Sequence, residues 1–316
     1  MNKVSKAEQF LIQNNPPPQN AILALGIFDG VHLGHQKLMR MAIAAAKDCL
    51  PHPCSTGALS FWPHPQNVFT PDDPAVQLTF PDEQAELIKA LGIDYFGCFH
   101  FTKEFAALTP REFAAQVLVE QLAVAGVVIG FNFRYGRNNT GNCQTLLEAG
   151  REFGFRVLVC DPVKYQGQVI SSTRIRTELS AGNVELAGAL LGRPYFLKGR
   201  VARGFGRGKQ LGFPTANLLV PQARLIPASG VYAGRVRIAE AEYLAAIFVG
   251  APMTFGQFSS SVEVFIIDYN GADLYGSELQ VSFIRRLRSV AKFASVEELV
   301  AQIQRDVEQI KELAAE

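Results

Sequence analysis

The sequence predicts an α/β domain followed by a β domain: a doubly wound parallel sheet, then an antiparallel barrel or sandwich closed by a C-terminal helix. Three observations predict it. Short apolar runs alternate with helical runs as far as about Gly182, the pattern of strands covered on both faces by crossover helices. Beyond that point strand-like runs follow one another across turns with no helix between them. The chain then closes on "SVEELVAQIQRDVEQIKELAAE", whose apolar residues recur at helical spacing. The expected boundary therefore divides residues 1–182 from residues 183–316.

Each element has its own warrant. After the turn-rich "NNPPPQN", "AILALGIF" reads as a buried strand and Gln36 to Leu50 as a helix, with Leu38, Met39, Ala42, Ile43 and Ala46 on one face. "TGALSF" and "GIDYFGCFHF" are the next strands. In "TPREFAAQVLVEQL", Thr109 caps a helix, Pro110 takes its first turn and Glu112 completes a capping box. "AGVVIGF" and "FRVLVCDPV" complete the sheet. A short helix, "NVELAGALLG", precedes the β runs "YFLKGRVA", "GVYAGRVRI", "YLAAIFVG", "SVEVFIIDY" and "ELQVSFIRRL".

The bulk numbers exclude several classes. With 30 basic and 29 acidic residues the net charge is +1, which argues against broad nucleic-acid or membrane-surface binding. No run approaches the roughly 20 apolar residues of a membrane span. The five cysteines are odd in number and form no CxxC pair, so neither a disulfide framework nor a zinc site is expected. These features, with an N-terminus unlike a signal peptide, give the expectation of a cytoplasmic protein.

The densest chemistry lies in "GIFDGVHLGH", Gly26 to His35, where a strand gives way to a helix. In a doubly wound sheet, ligands sit at the carboxyl ends of the strands. Glycines there let the backbone approach a ligand, and a helix starting near His35 aims free N–H groups at a phosphate. His32 and His35 can each add a donor. With no cysteine or third histidine nearby, the set suits phosphate better than metal. A histidine pair at this spacing also occurs in ordinary turns, but three further loops point the same way. His64 lies between prolines in "SFWPHPQNVF" after the second strand. "GFNFRYGRNNTGN" follows the fourth with Asn132, Arg134 and Arg137. "ISSTRIR" follows the fifth with Ser171, Ser172, Thr173, Arg174 and Arg176. Taken singly these are a loop, a solvated turn and an N-cap; together they share one sheet edge.

The β half carries "GRVARGFGRGKQLGFPTANL". It is neither a Walker A loop, which would need Gly at Arg203 and Ser or Thr at Gln210, nor a dinucleotide fingerprint. Gly204, Gly206 and Gly208 permit close backbone approach, and Arg207 and Lys209 add charge. Thr215 and Asn217 alternate along an extended segment, so both face one side.

"GIFDGVHLGH", "PHP", "GFNFRYG" and "SSTRIR", in this order over residues 15 to 182, resemble the adenylyltransferase half of the prokaryotic bifunctional riboflavin kinase/FAD synthetases. "GFPTAN", "VEVFIIDYNGADLYGSEL" and "RRLRSVAKFASVEELVAQIQRDV" are similar to their riboflavin kinase half, a β-barrel. The resemblance implies that riboflavin becomes FMN and FMN becomes FAD at the expense of ATP, with Mg2+. It implies that Gly26, Phe28, Asp29, His32, His35, Asn132, Ser172, Thr173, Arg174 and Arg176 bind ATP for adenylyl transfer, with His32 and His35 catalytic. In the kinase half it implies ATP contacts from Gly206, Gly208, Lys209, Thr215 and Asn217, with the metal at Thr215 and Asn217. Glu263 would be the general base, and His64, Arg288 and Phe293 would meet flavin. Two departures stand out. Trp62 precedes "PHP" where an acid is frequent, and an indole there can stack on a ring. "FVGAPMTFG" (Phe248 to Gly256) replaces an "NIGxRPTF"-like stretch. The alternatives are an adenylyltransferase with a weak or inactive kinase-like module, and a non-catalytic flavin sensor.

Overall fold

A computed structural model describes residues 9–10, 18–72, 74–203, 208, 211–255 and 258–314. The chain forms two compact units, Met1–Ser172 and Thr173–Glu316.

The first unit is the parallel sheet. Its strands are β1 (Gln9–Phe10), β2 (Ile22–Leu25), β3 (Thr56–Trp62), β4 (Tyr95–His100), β5 (Gly126–Gly130) and β6 (Arg156–Cys160). They lie in the order β1-β4-β3-β2-β5-β6. β2 through β6 are parallel; β1 adds an antiparallel edge on β4. The chain winds outward from β2 through β3 and β4, then returns to β5 on β2's other side. That reversal makes the crevice between β2 and β5 the topological switch point. Side-chain alternation along β2 feeds two cores. Leu23 and Leu25 join Phe113, Leu118, Val127, Ile129 and Leu146 on one face. Ile22 and Ala24 join Leu38, Met39, Ala42, Ile88 and Val128 on the other.

The helices are α1 (Leu33–Lys47), α2 (Pro65–Phe69), α3 (Pro81–Ala90), α4 (Lys103–Ala106), α5 (Pro110–Glu112) and α6 (Cys143–Phe153). The capping box of α5 is formed: Glu112 N donates to Thr109 Oγ1 at 3.2 Å and Thr109 N to Glu112 Oε2 at 2.8 Å. Donation from Thr109 N, and then from Thr109 Oγ1, to the carboxylate holds the Glu112 carboxyl below its usual range. The helix then differs from the expected α form, continuing as a π-helix over Phe113–Gln121. The wider turn sets Phe113, Ala114, Val117 and Leu118 all against the core, at a spacing that an α-helix would spread over a broader arc. A second difference concerns cysteine. Cys49 and Cys54 are joined by a disulfide, with Cα atoms 5.7 Å apart, between α1 and β3. The expectation of unpaired thiols holds for Cys98, Cys143 and Cys160.

The second unit carries most of α7 (Ser172–Ala181), then α8 (Val184–Leu191) and a closed barrel. The barrel strands are β9 (Tyr195–Ala202), β10 (Thr215–Pro221), β11 (Gly230–Ile238), β12 (Ala241–Phe255), β13 (Phe258–Ile266) and β14 (Glu278–Arg288), numbered past the small hairpin β7–β8 (Lys164–Tyr165, Gln168–Val169) of the first unit. Barrel order is β10-β13-β12-β11-β14-β9, all antiparallel. Leu218, Val220, Ile247, Val262, Val264 and Val281 are fully enclosed. On the outer face, Ala233, Leu244, Ala246 and Phe265 pack beneath the C-terminal helix Val296–Leu313 through Val307, Ile310 and Leu313.

Candidate active sites

The turn after β2 is held by its own side chains. Phe28, with φ 53°, is fully buried, and its ring lies where a Cβ on Gly26 would sit, 2.7 Å from that position. A side chain at Gly26 would displace the ring that packs edge-on to His35, centroids 5.4 Å apart. Asp29 is buried, and its carboxylate accepts from Leu78 N at 2.9 Å and Thr79 N at 2.9 Å. Thr79 Oγ1 in turn accepts from Gly30 N at 2.7 Å. Asp29, expected at the nucleotide, thus straps the turn to the Leu78–Thr79 segment. Nothing in the residue pattern points to that partner, 49 residues away.

α1 begins at Leu33, earlier than expected, and this changes the role of His32. His32 is the N-cap: its Nδ1 accepts from His35 N at 3.3 Å. An accepting Nδ1 carries no proton, so the neutral ring bears its hydrogen on Nε2. The rings of His32 and His35 stack with centroids 3.6 Å apart. Burial, and then the neighbouring His32, hold the His35 pKa well below its ordinary value. His35 is thereby kept from adding a positive charge at the positive end of α1, where the helix dipole opposes it.

The other loops of this unit emerge from neighbouring strands. Asn132, exposed, follows β5, the strand beside β2, and its Oδ1 reaches back over Gly130. Arg134 and Arg137 are exposed in the same loop, which is tied down by Arg137 N donating to Leu108 O at 2.6 Å. His64 follows β3 and caps α2, its Nδ1 accepting from Gln66 N at 3.2 Å. Trp62 packs edge-on against Phe80, centroids 6.0 Å apart. Ser172 Oγ donates to Asp29 O at 2.9 Å, which sets the first residue of α7 beside the turn. Thr173, Arg174 and Arg176 occupy the next helical positions and belong to the second unit.

On the barrel, pairing assembles a row. Asn217 on β10 is the direct partner of Glu263 on β13, which is the partner of Phe248 on β12. Phe248 pairs with Val231 on β11, and Val231 with Arg288 on β14. Directly paired residues project to the same face. Val262 and Val264 point inward, so Glu263 stands on the outer face, half-buried. Thr215 Oγ1 donates to Glu263 Oε2 at 3.2 Å. Gly208 closes over this corner: a Cβ there would meet Phe213 O at 2.3 Å and Thr215 Oγ1 at 3.3 Å, so no larger residue fits. Gly206 and Lys209, also expected at the nucleotide, lie outside the described residues.

Arg288 ends the row in a near-buried ion pair. Its Nε donates to Asp306 Oδ1 at 3.0 Å and its Nη2 to Oδ2 at 2.7 Å. Gln302 Nε2 donates to the same carboxylate at 2.8 Å, and the Phe293 ring lies 5.7 Å from the guanidinium. Asp306 was missed at the sequence level: at helical spacing it reads as a solvated charge, yet it is 4% exposed.

A parallel sheet with a glycine-rich turn and a helix start at its switch point, joined to a barrel bearing a hydroxyl, an amide and a carboxylate on one outer face, has the two-module organisation of a transferase. Comparison with known proteins narrows the class. Residues 14–174 match the FAD synthetase family and residues 191–314 the riboflavin kinase family. A bifunctional riboflavin kinase/FMN adenylyltransferase of Listeria monocytogenes is 37% identical over 91% of this chain and 90% of its own length. The protein of that name from Escherichia coli is 36% identical over 92% and 91%. A crystal structure titled as a macrolide-efflux protein of Streptococcus pneumoniae superimposes with a TM-score of 0.84 at 32% identity, covering 96% of this chain and 97% of that one. The chain belongs to the bifunctional riboflavin kinase/FMN adenylyltransferase family. No described helix is long and apolar enough to cross a membrane.

Proposed function

We propose that the chain phosphorylates riboflavin to FMN on the outer face of the barrel and adenylylates FMN to FAD at the switch point of the sheet, with residues 1–182 and 183–316 as the two functional modules. The observation that carries the kinase reading is the Thr215–Glu263 hydrogen bond beside the paired Asn217. Glu263 takes the proton of the riboflavin 5′-hydroxyl as that oxygen attacks the γ-phosphorus of ATP; the bond to the bridging oxygen breaks and ADP leaves.

Thr215 and Asn217 offer hydroxyl and amide oxygens on one face, hard donors of the kind Mg2+ accepts alongside water and phosphate. They would hold Mg2+, which neutralises phosphate charge. Gly208 leaves backbone room beside them. Arg288, fixed by Asp306, and Phe293 border the flavin.

In the sheet module the FMN phosphate is itself the nucleophile. Its oxygen attacks the α-phosphorus of ATP, and pyrophosphate departs. The residues here need only align the reactants and stabilise charge. Gly26 and Phe28 shape the turn, Asp29 fixes it, and His32 donates from Nε2 to phosphate, with His35 stacked behind it. Asn132 and Ser172 flank the same strand ends, and His64 serves the flavin side. The reading places the enzyme in the cytoplasm. Incubation of riboflavin and MgATP with the protein, resolved by chromatography, should yield FMN and then FAD. The substitution Glu263→Gln should stop FMN appearing from riboflavin while FMN supplied directly is still converted to FAD. Riboflavin phosphorylation at near wild-type rate in that variant would remove Glu263 from the base role.

A further inference from the structure

Two residues of the barrel row have no assigned role, Phe248 and Val231. Phe248 stands between Glu263 and Val231. It is 36% exposed, a large apolar side chain on the face that carries the carboxylate. A Cβ on Gly250 would come 2.8 Å from Phe248 Cε1, so the absence of a side chain at Gly250 lets the ring lie down along the strand. Neighbouring strands are about 4.8 Å apart, so Phe248 is one spacing from Glu263 and Arg288 is three, roughly 14 Å in all. A flavin whose terminal hydroxyl meets Glu263 and whose ring system reaches toward Arg288 must lay its polyol chain across Phe248.

We propose that Phe248 is a specificity-determining residue of the kinase reaction: its ring supports the carbon chain between the reacting hydroxyl and the flavin ring and offers no partner to the secondary hydroxyls. The inference rests on the Glu263 assignment above. Its consequence follows from how sites discriminate. A site built to hydrogen-bond a substrate hydroxyl rejects the analogue lacking it by about 10⁴-fold or more, because its own polar group is then left unpaired; an apolar surface discriminates by far less. This kinase is therefore tolerant of flavins whose chains lack secondary hydroxyls, provided the terminal hydroxyl remains.

The probe is 7,8-dimethyl-10-(5-hydroxypentyl)isoalloxazine, which keeps the ring and the terminal hydroxyl and lacks the three between. The wild-type chain should phosphorylate it with kcat/KM within about tenfold of riboflavin. In Phe248→Asn the preference for riboflavin should widen by about tenfold or more, while Phe248→Leu, still apolar, should keep the wild-type ratio. Riboflavin phosphorylation by each variant shows that its barrel is folded. Rejection of the analogue by the wild type beyond about 10³-fold, or an unchanged ratio in Phe248→Asn, overturns the proposal. Glu263→Gln separates the two levels: it should abolish turnover of both flavins. Activity in Glu263→Gln would sink the base assignment, whereas the analogue ratio reads Phe248 alone.

Discussion

Replacing His32 by Asn separates two roles given to one side chain. His32 caps α1 through Nδ1, and the proposed function has its Nε2 donate to phosphate. Asn is among the strongest N-cap residues, so its amide oxygen can accept from His35 N and keep the helix start. The bond in the native chain is long, 3.3 Å, which puts the cap near the low end of the usual range, about 0.5–1 kcal/mol. His32→Asn should therefore unfold within about 0.5 kcal/mol of wild type, and His32→Ala should lose up to about 1 kcal/mol. The donor is worth more. Removing one preorganised donor from a site where charge develops costs about 10²–10³ in kcat, or 2.7–4 kcal/mol. FAD formation from FMN and ATP should fall by that factor in both variants, with riboflavin phosphorylation unchanged. The assay pairs urea denaturation with initial rates of the two reactions. If His32→Asn made FAD at near wild-type rate, His32 would be a helix cap only, and the phosphate-site argument would lose its central residue.

Two other outcomes test the electrostatics. His35 is held neutral by burial and by His32, so its folded pKa lies below the unfolded value of 6.5. The unfolded chain then binds more protons in that window. The stabilisation is present in full above 6.5 and is lost as pH falls toward the folded pKa, by at most about 1.4 kcal/mol per pH unit. His35→Gln should flatten that part of the stability–pH curve of the sheet unit, and a slope unchanged by the substitution would refute it. Asp306→Ala should strand the Arg288 guanidinium, which is 22% exposed, against a 5% exposed partner position. Breaking a pair this enclosed costs roughly 3 kcal/mol. The barrel's unfolding midpoint and the KM for riboflavin should both suffer while FMN adenylylation does not; an unmoved midpoint would mean that the pair is energetically idle.

The sheet unit was legible because its information is local. Apolar runs such as "AILAL" and "AGVVIG" bury on both faces, and a strand so read places its following loop at the carboxyl edge without further knowledge. The helix start was misplaced by a few residues because His32 is an uncommon N-cap, absent from the usual Ser, Thr, Asp and Asn set. The π-helix was hidden for a related reason: "FAAQVLVEQ" is apolar nearly throughout, so no periodicity distinguishes a wide turn from a tight one. Asp29 illustrates a deeper limit. Its sequence neighbours suggest a ligand contact, whereas its partners at Leu78 and Thr79 are fixed only once the chain has folded.

The barrel site depends on register, which residue patterns do not encode at this precision. Alternation shows that Thr215, Asn217 and Glu263 face outward, but not that Asn217, Glu263, Phe248, Val231 and Arg288 share one rung. Irregularities flank that rung: between Leu218 and Val220 and between Val249 and Met253 one pair beyond it on one side, and between Val231 and Tyr232 on the other. Bulges re-aim side chains and end pairing, and they gather beside active sites. Here they interrupt regular pairing on both sides of the row and leave the base and its neighbours on a short regular stretch between them. Lengthening β12 by one residue before Phe248 would turn that ring to the opposite face of the sheet, since side-chain period in a strand is two. Such an insertion should abolish riboflavin phosphorylation as Glu263→Gln does, and FMN conversion to FAD serves as the internal control. Full kinase activity in that insertion variant would show that register does not set the site.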